Sequence, residues 1–304
     1  MSTDLSFTGE RFVPGDPSAI GEMWTEHWHR YHFVLPWIAG KRVLDVACGE
    51  GYGSALMARS ATTVTGVDIA PAAIAHARSA YAARGNVEFR EASCTKLPFD
   101  PASFDCVVSF ETLEHIAEQA EFIAEVKRVL KPDGVLIVST PNKTEYSDKR
   151  GYANEFHAKE LYREEFDALL GTQFAHRRWL SQRNAFVSLI EEETGSPAGE
   201  SVIVAKADAE RRAAPLPALY YIVAAGNDAD ALTALPARLS VFGDAEEWAY
   251  NDYRNTYQGM MHFRKRVTEL EAEIAALQAK SAAAPEAAAS DDSTLARFIK
   301  KLSN

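Results

Sequence analysis

The sequence predicts an α/β fold, in which a mostly parallel sheet carries helices on both faces. Between residues 42 and 140, five short apolar runs alternate with helical patterns, and three of the runs are rich in valine. Continuous apolar runs suit strands that are buried on both faces. Strands that alternate with helices favour a parallel, doubly wound sheet.

The elements follow in order along the chain. Strands are predicted at residues 42–47, 63–68, 87–91, 104–110 and 135–140. Ile123, Val126 and Leu130 have helical spacing, and Lys131-Pro132-Asp133-Gly134 is expected to end that helix and turn into the next strand. The segment from about 172 to 226 is predicted to be rich in strands, with further candidates at 201–205 and 219–225.

Composition and charge restrict the class of protein. The 304 residues are 47% hydrophobic and 25% charged, which is typical of a soluble globular protein. The formal charge of -11 disfavours non-specific binding to nucleic acid, because an acidic protein repels polyphosphate. Cys48, Cys94 and Cys106 form no Cys-x-x-Cys pair, so we expect a reducing compartment and no zinc framework.

The localisation predicted from the sequence is cytoplasmic. The first residues have neither a basic region nor an apolar core, so a secretory signal is not expected. No apolar stretch approaches the roughly 18 to 20 residues that span a bilayer. Peripheral contact with the inner face of a membrane stays open.

The segment 43–53 predicts a cofactor loop. It runs Val-Leu-Asp-Val-Ala-Cys-Gly-Glu-Gly-Tyr-Gly, follows a predicted strand and opens a helix. Glycines there let a ligand approach the backbone amides of the helix N-terminus. Asp68 lies at the end of the second predicted strand, where a carboxylate can accept hydrogen bonds from both ribose hydroxyls of an adenosine-containing ligand.

This segment resembles motif I of the class I S-adenosylmethionine (SAM) dependent methyltransferases, of the type 11 kind. The family motif is Asp-x-Gly-x-Gly-x-Gly, and Ala47 stands in place of its first glycine, a position that mainly needs a small residue. The resemblance continues in order through residues 66–70, 97–99, 103–105, 110–115, 130–134 and 139–142. It implies a Rossmann-like sheet of seven strands, methyltransferase activity, SAM as cofactor with S-adenosylhomocysteine as product, and no metal.

The resemblance also implies which residues bind SAM. The loop would surround the methionine part of SAM, and Asp68 with the adjoining Ile69 would hold the ribose. The carbonyl of Phe110 would line the sulfonium pocket. Ser93 and Cys94 stand where many relatives carry an acidic residue for the adenine amino group. The loop residues are Asp45, Ala47, Gly49, Gly51 and Gly53. A nicotinamide cofactor is the weaker alternative, because these glycines are spaced two apart rather than as Gly-x-Gly-x-x-Gly.

Two histidines are candidates for catalysis. An alcohol acceptor needs a general base, and His115 follows the fourth strand at the edge where ligands bind such sheets. Glu114, or Glu111, is predicted to orient its imidazole, whereas the structural alternative is that Glu114 and His115 cap the next helix. His157, beside Phe156 in the loop after the fifth strand, is the second candidate.

Other aromatic and histidine residues precede motif I. His29 and Tyr31 come third as candidates, in a segment that often forms a lid over SAM. Trp24 and Trp28 share one helical face, which favours packing over recognition.

For the methyl acceptor, the sequence predicts a chemical class rather than a particular compound. The segments around His29, Ser93 and Phe156 resemble bacterial methyltransferases of cell-surface polysaccharide and O-antigen biosynthesis, which implies a sugar hydroxyl as acceptor. A small-molecule acceptor of the quinone or secondary-metabolite kind stays open, as do N-methylation and a non-catalytic SAM-binding scaffold.

The C-terminal third predicts self-association. Val267 and Ile274 occupy a positions, and Leu270 and Leu277 d positions, of a heptad pattern typical of a parallel two-stranded coiled coil. An amphipathic helix on its own domain is the alternative. The domains predicted are a lid segment at 1–41, a methyltransferase domain at 42–226 with a strand-rich insertion near 183–215, a connector at 227–252 and a coiled coil at 253–280. Residues 281–304 are predicted to be a flexible linker, whose composition begins at 279 and ends at 294, followed by a short basic amphipathic tail at 295–302. That tail would contact an anionic membrane or begin a further domain.

Overall fold

The computed structural model describes residue 13 and residues 21–185, 203–204, 211–212, 216–235, 239–243 and 247–302. The chain divides into two compact units, Met1–Gly243 and Asp244–Asn304. Most of the predicted insertion at 183–215 lies outside the described residues. No described helix is long and apolar enough to cross a membrane.

The first unit is built on one seven-stranded sheet, which confirms the predicted α/β fold. Its order is β3-β2-β1-β4-β5-β9-β6; the first five strands are parallel, and β9 runs antiparallel to both β5 and β6. A separate two-stranded ladder pairs β7 with β8. The strands are β1 (Arg42–Val46), β2 (Thr63–Asp68), β3 (Val87–Glu91), β4 (Phe104–Ser109), β5 (Leu130–Pro141), β6 (His176–Gln182), β7 (Ile203–Val204), β8 (Arg211–Arg212) and β9 (Tyr220–Gly226).

Helices cover both faces of the sheet because neighbouring strand residues point to opposite sides. Val43 of β1 joins one buried apolar cluster, with side chains of the first two helices, whereas Leu44 joins a second cluster with the fourth and fifth. The helices are α1 (Gly21–Val34), α2 (Tyr52–Met57), α3 (Pro71–Tyr81), α4 (Gln119–Val129), α5 (Arg163–Gly171), α6 (Ala229–Thr233) and α7 (Trp248–Leu302). Single turns of other helix types lie at Ala82–Arg84, Leu113–His115 and Thr144–Asp148.

The turn predicted at residues 131–134 is instead part of β5. Leu130, predicted as helical, already has an extended backbone and pairs with Phe104. The ladder then shifts register, so that Val135 pairs with Cys106 and the residues between form an irregularity. Pro132 accounts for the end of α4 at Val129. A proline disfavours the helical conformation of the residue before it, so helices usually end at or before that residue.

The second unit contains the long helix α7. This helix continues through residues 279–294, where composition predicts a flexible linker, and alanine's high helix propensity accounts for the difference. Val267, Leu270, Ile274 and Leu277 are between 40% and 65% exposed. The coiled coil stays a prediction, and the side chains of the tail at 281–302 lie outside the described residues.

Candidate active site

The loop after β1 has a backbone that favours glycine at three positions. Gly49 and Gly51 have φ of 57° and 96°, and Ala47 has φ of 61°. A left-handed conformation costs an L-residue about 1–2 kcal/mol, whereas glycine adopts it freely. Ala47 therefore occupies a position that requires a left-handed backbone, which corrects the expectation that small size is its main requirement.

Two glycines of the loop make room for aromatic rings. A Cβ atom on Gly53 would lie 2.1 Å from Cζ of Tyr31, and one on Gly51 would lie 2.7 Å from Cε1 of Phe89. Tyr31 belongs to α1 and Phe89 to β3. The glycines thus let α1 and the third strand pack directly onto the loop.

Asp45 lies beneath the loop with a fully buried carboxylate. Its oxygens accept hydrogen bonds from Ser54 Oγ at 2.6 Å and from Tyr31 OH at 3.4 Å. Burial raises the pKa of Asp45 to about 7, although the hydrogen bonds from Ser54 and Tyr31 oppose this shift. A ligand cation beside this carboxylate would favour its charged form.

Asp68 ties the second strand to the loop. Its Oδ2 accepts from the Gly49 amide and its Oδ1 from the Ala70 amide, both at 2.9 Å. A carboxylate has about four acceptor positions, so two remain for a ribose diol. The adjoining Ile69 is 71% exposed, which leaves an apolar side chain at the rim of the site.

The remaining predicted cofactor residues lie around these two carboxylates. The Ala92 amide donates to the Asp68 carbonyl at 3.0 Å, which brings the end of β3 beside Asp68. Ser93 and the half-buried Cys94 follow directly, and Ser93 Oγ lies 2.9 Å from Thr95 Oγ1. The ring of Phe110 is buried at 5.1 Å from the ring of Tyr31. The two carboxylates fit SAM, since Asp45 can accept from the ammonium group and Asp68 can accept from the ribose hydroxyls.

The predicted catalytic residues come together a few residues beyond Phe110 in the chain, after β4. His115 ends the turn Leu113–His115, and its ring centroid lies 5.0 Å from that of His157. Glu114 is buried, accepts a hydrogen bond from Thr140 Oγ1 at 3.1 Å, and lies 3.9 Å from His115 Nε2. Burial, followed by the nearby Glu111 carboxylate, raises the pKa of Glu114 well above its usual range. The helix-cap alternative does not hold, because Glu118 occupies the N-cap of α4.

A buried arginine is part of the site that the sequence prediction missed. Arg30 of α1 is 1% exposed, donates from Nε to Gln182 Oε1 at 2.7 Å and lies 4.5 Å from the ring centre of Tyr220. Its Nη2 lies 3.6 Å from Glu111, yet neither Nη atom has a hydrogen-bond partner in the described part of the chain. Glu26, one turn earlier on α1, gave the available signal, since acid and base four residues apart share a helix face.

The two residues proposed for a lid, His29 and Tyr31, make different contacts in the structure. Tyr31 lies on the cofactor loop, whereas His29 contacts Ser240 Oγ at 3.0 Å and stacks on Phe242. The rings of Trp24 and Trp28 lie 6.2 Å apart and pack against the core, as predicted. Of the two lid candidates, Tyr31 therefore contacts the loop.

The chain is similar to known proteins in sequence and in fold. Residues 44–138 match the protein family described as a methyltransferase domain. These residues form a methyltransferase domain. A crystal structure of a Pyrococcus horikoshii protein aligns with a TM-score of 0.50 and 20% identity, over 70% of this chain and 96% of that one, which shows the shared fold.

Curated relatives extend the match beyond the methyltransferase domain. The chain is 41% identical over 178 residues to a probable S-adenosylmethionine-dependent methyltransferase of Mycolicibacterium smegmatis, covering 57% of this chain and 66% of that protein. It is 38% identical over 109 residues to a ubiquinone biosynthesis O-methyltransferase of Paracidovorax citrulli, covering 35% of this chain and 46% of that protein. The chain thus spans less than two thirds of the length of these relatives.

Proposed function

We propose that this protein transfers the methyl group of SAM to a sugar hydroxyl of a bacterial cell-surface polysaccharide or its precursor. The observation that carries the proposal is the shared position of the cofactor loop and the histidine pair. Both stand at the carboxyl ends of the parallel strands, where ligands bind in open α/β sheets. The methyltransferase domain and the name of the mycobacterial relative support the reaction.

The residues of the loop would hold the cofactor. Asp45 would hold the methionine ammonium group, Asp68 would hold the ribose hydroxyls, and Phe110 would line the pocket for the sulfonium. SAM supplies an electrophilic methyl group when it is bound. Methyl transfer is an in-line displacement, so the chain's own residues mainly position the acceptor and exclude water.

Buried polar groups that interact with Glu114 favour an acceptor with several hydroxyl groups. Arg30 has two buried Nη atoms without hydrogen-bond partners among the described residues, and the Glu111 carboxylate lies 3.6 Å from Nη2. Buried polar atoms are costly without partners, and sugar hydroxyls both donate and accept hydrogen bonds. Tyr146, whose ring stacks on His157, adds a flat face for the apolar side of a sugar ring.

A hydroxyl must lose its proton as the methyl group arrives, and His115 and His157 are the groups that activate it. Their rings lie close together beyond Phe110, and the imidazole of His115 is partly exposed to an incoming acceptor. Loss of such a group costs roughly 10²- to 10⁴-fold in rate. Neither histidine belongs to the cofactor loop, so SAM binding does not depend on them.

A phenolic acceptor of the quinone-precursor kind is the second candidate. Phe156 and Tyr152 are 45% and 51% exposed and offer stacking faces to an aromatic ring. The name of the relative from Paracidovorax citrulli also favours this class. A scaffold that only binds SAM is the third, and it predicts SAM affinity without turnover.

The test measures S-adenosylhomocysteine release with a panel of acceptors. Oligosaccharides with free hydroxyls, a catechol and a primary amine represent the sugar, quinone and nitrogen classes. We expect turnover with oligosaccharides, and a loss of at least 100-fold in His115→Ala and His157→Ala with SAM affinity unchanged. His176→Ala, an exposed histidine on β6, is the matched control. Turnover on the catechol alone would support the second candidate instead.

The same proposal includes self-association through residues 253–280. The exposed heptad residues of α7 and their β-branched and leucine pattern support a parallel dimer.

A further inference from the structure

Three side chains bring atoms of the kind that bind metals close together. A carboxylate oxygen of Glu114 and one ring nitrogen each of His115 and His157 all lie within 4.8 Å of one another. Their side chains are 1%, 29% and 6% exposed. The group is therefore largely buried and open to solvent on the His115 side.

A hydrogen bond fixes the tautomer of His115. Its Nδ1 lies 3.1 Å from the carbonyl oxygen of Phe156, which can only accept. Nδ1 must therefore carry the hydrogen, which leaves Nε2 as the basic nitrogen of the neutral ring. This Nε2 lies 3.9 Å from Glu114 Oε1.

Hydrogen bonds also fix the tautomer of His157. Its Nδ1 lies 2.6 Å from Glu160 Oε1, and Glu160 is itself held by Ser147 Oγ at 2.6 Å. The Asn154 amide nitrogen lies 3.0 Å from Nε2, while the Asn154 oxygen accepts from the Phe156 amide at 3.1 Å. An amide nitrogen only donates, so Nε2 of His157 carries no hydrogen, and its lone pair accepts the hydrogen bond from Asn154.

Glu114 is anchored through one oxygen and directed through the other. Its Oε2 accepts from Thr140 Oγ1 of β5 at 3.1 Å, while Oε1 faces His115. Outer partners that orient each ligand in this way are a regular feature of metal sites. Metal-binding histidines donate their second ring N–H to a carboxylate or a backbone carbonyl, and bound carboxylates are themselves hydrogen-bonded.

We infer that Glu114, His115 and His157 bind a divalent transition-metal ion, of the Zn²⁺, Mn²⁺ or Co²⁺ class, beside the acceptor. Two imidazoles and one carboxylate suit such ions, whereas Mg²⁺ and Ca²⁺ prefer oxygen ligands alone. Bonds of about 2.1 Å would draw the three atoms to about 3.4 Å apart, and the Asn154 amide would have to leave Nε2 of His157. Three protein ligands leave a coordination position for an acceptor hydroxyl.

The role of this ion rests on the proposed function. A hydroxyl that binds the cation has a lowered pKa and releases its proton to water. The resulting alkoxide oxygen forms a bond to the methyl carbon of SAM. The carbon–sulfur bond breaks with its electron pair on sulfur, which gives S-adenosylhomocysteine. In this arrangement the histidine pair activates the hydroxyl through the cation rather than as a free base.

Metal titration of the full chain tests the site directly. Chelator-treated protein is titrated with Zn²⁺ by calorimetry and with Co²⁺ by visible absorption. We expect one ion per chain, and at least tenfold weaker binding in His115→Ala, His157→Ala and Glu114→Gln. Glu160→Gln, which removes only the partner of His157, should weaken binding about 10- to 100-fold. His176→Ala should bind as the wild type does.

Wild-type protein that binds no ion, or variants that all bind as tightly as wild type, would overturn the inference. SAM calorimetry on the chelated protein separates this result from failure of the proposed function and shows that each variant is folded. SAM binding without cation binding leaves the proposed function standing, with the histidines as bases. Loss of SAM binding in the wild type contradicts the proposed function, whatever the metal titration gives.

Discussion

Replacement of Gly53 by alanine tests whether α1 lies directly on the cofactor loop. The new Cβ would lie 2.1 Å from Cζ and 2.4 Å from Cε1 and Cε2 of Tyr31. Carbon atoms in contact prefer about 3.5–4.0 Å, so the ring must move by about 1.5 Å. That ring is 5% exposed and packs edge-on against Tyr52 and Phe110, at 5.3 and 5.1 Å between centroids.

The expected cost of Gly53→Ala follows from these contacts. Overpacking a buried site, together with the side-chain shifts that it forces, costs about 1–3 kcal/mol. Alanine regains up to about 1 kcal/mol of helix propensity, and less here because Gly53 lies in the first turn of α2. We expect a net loss of about 1–3 kcal/mol in the free energy of unfolding.

A double-mutant cycle identifies the cause of that loss. Urea unfolding of Gly53→Ala, Tyr31→Ala and the double variant is compared with the wild type. If the ring is the obstacle, Gly53→Ala costs nothing further once Tyr31 is alanine, which gives a coupling of about 1–3 kcal/mol. An equal cost of Gly53→Ala in both backgrounds would refute the packing of α1 on the loop.

Three further predictions concern the loop and the long helix. Because burial raises the pKa of Asp45 to about 7, we expect SAM affinity in calorimetry to rise between pH 6 and 8 as the carboxylate ionises, and Asp45→Asn to remove this dependence. Without ligand, the same raised pKa makes the unfolding free energy fall from pH about 4 to about 7, since the folded state binds the extra proton. Ala47→Gly should leave the free energy of unfolding unchanged or raise it by up to about 1 kcal/mol, because φ is 61° at this position. Ala47→Val should lower the free energy of unfolding by about 1–3 kcal/mol. Leu270→Asp with Ile274→Asp should convert a wild-type dimer into a monomer in light scattering, and a wild type already monomeric at tens of micromolar would contradict the coil.

Strand prediction succeeded where strands are buried on both faces. Every residue of β1 and β2 except the first is buried, and the observed bounds agree with the predicted ones within one residue. The strand at His176–Gln182 carries three basic or histidine residues and a half-exposed pattern, so periodicity marks it poorly. Its place at the sheet edge, antiparallel to β9, depends on contacts that sequence spacing does not encode.

The cofactor loop could be predicted because its chemistry is local. Asp45, the glycines and the turn into α2 are neighbours in sequence, and Asp68 ends the next strand. Arg30 could not be found in this way, because its burial depends on Gln182 and Tyr220, which lie more than 150 residues later in the chain. The same holds for the outer partner of His115, the Phe156 carbonyl, which lies 41 residues later in the chain.

Calorimetric titration with S-adenosylhomocysteine tests the central claim, that Asp45, Asp68 and the glycine loop form a SAM site. The account predicts one site per wild-type chain. It predicts at least tenfold weaker binding by Asp68→Ala, because two charge-assisted hydrogen bonds of about 1.5–3 kcal/mol each are lost. Asp100→Ala, an exposed acid away from the loop, is the control and should bind as the wild type does. Equal affinity of Asp68→Ala and wild type, or no binding by the wild type, would contradict the account.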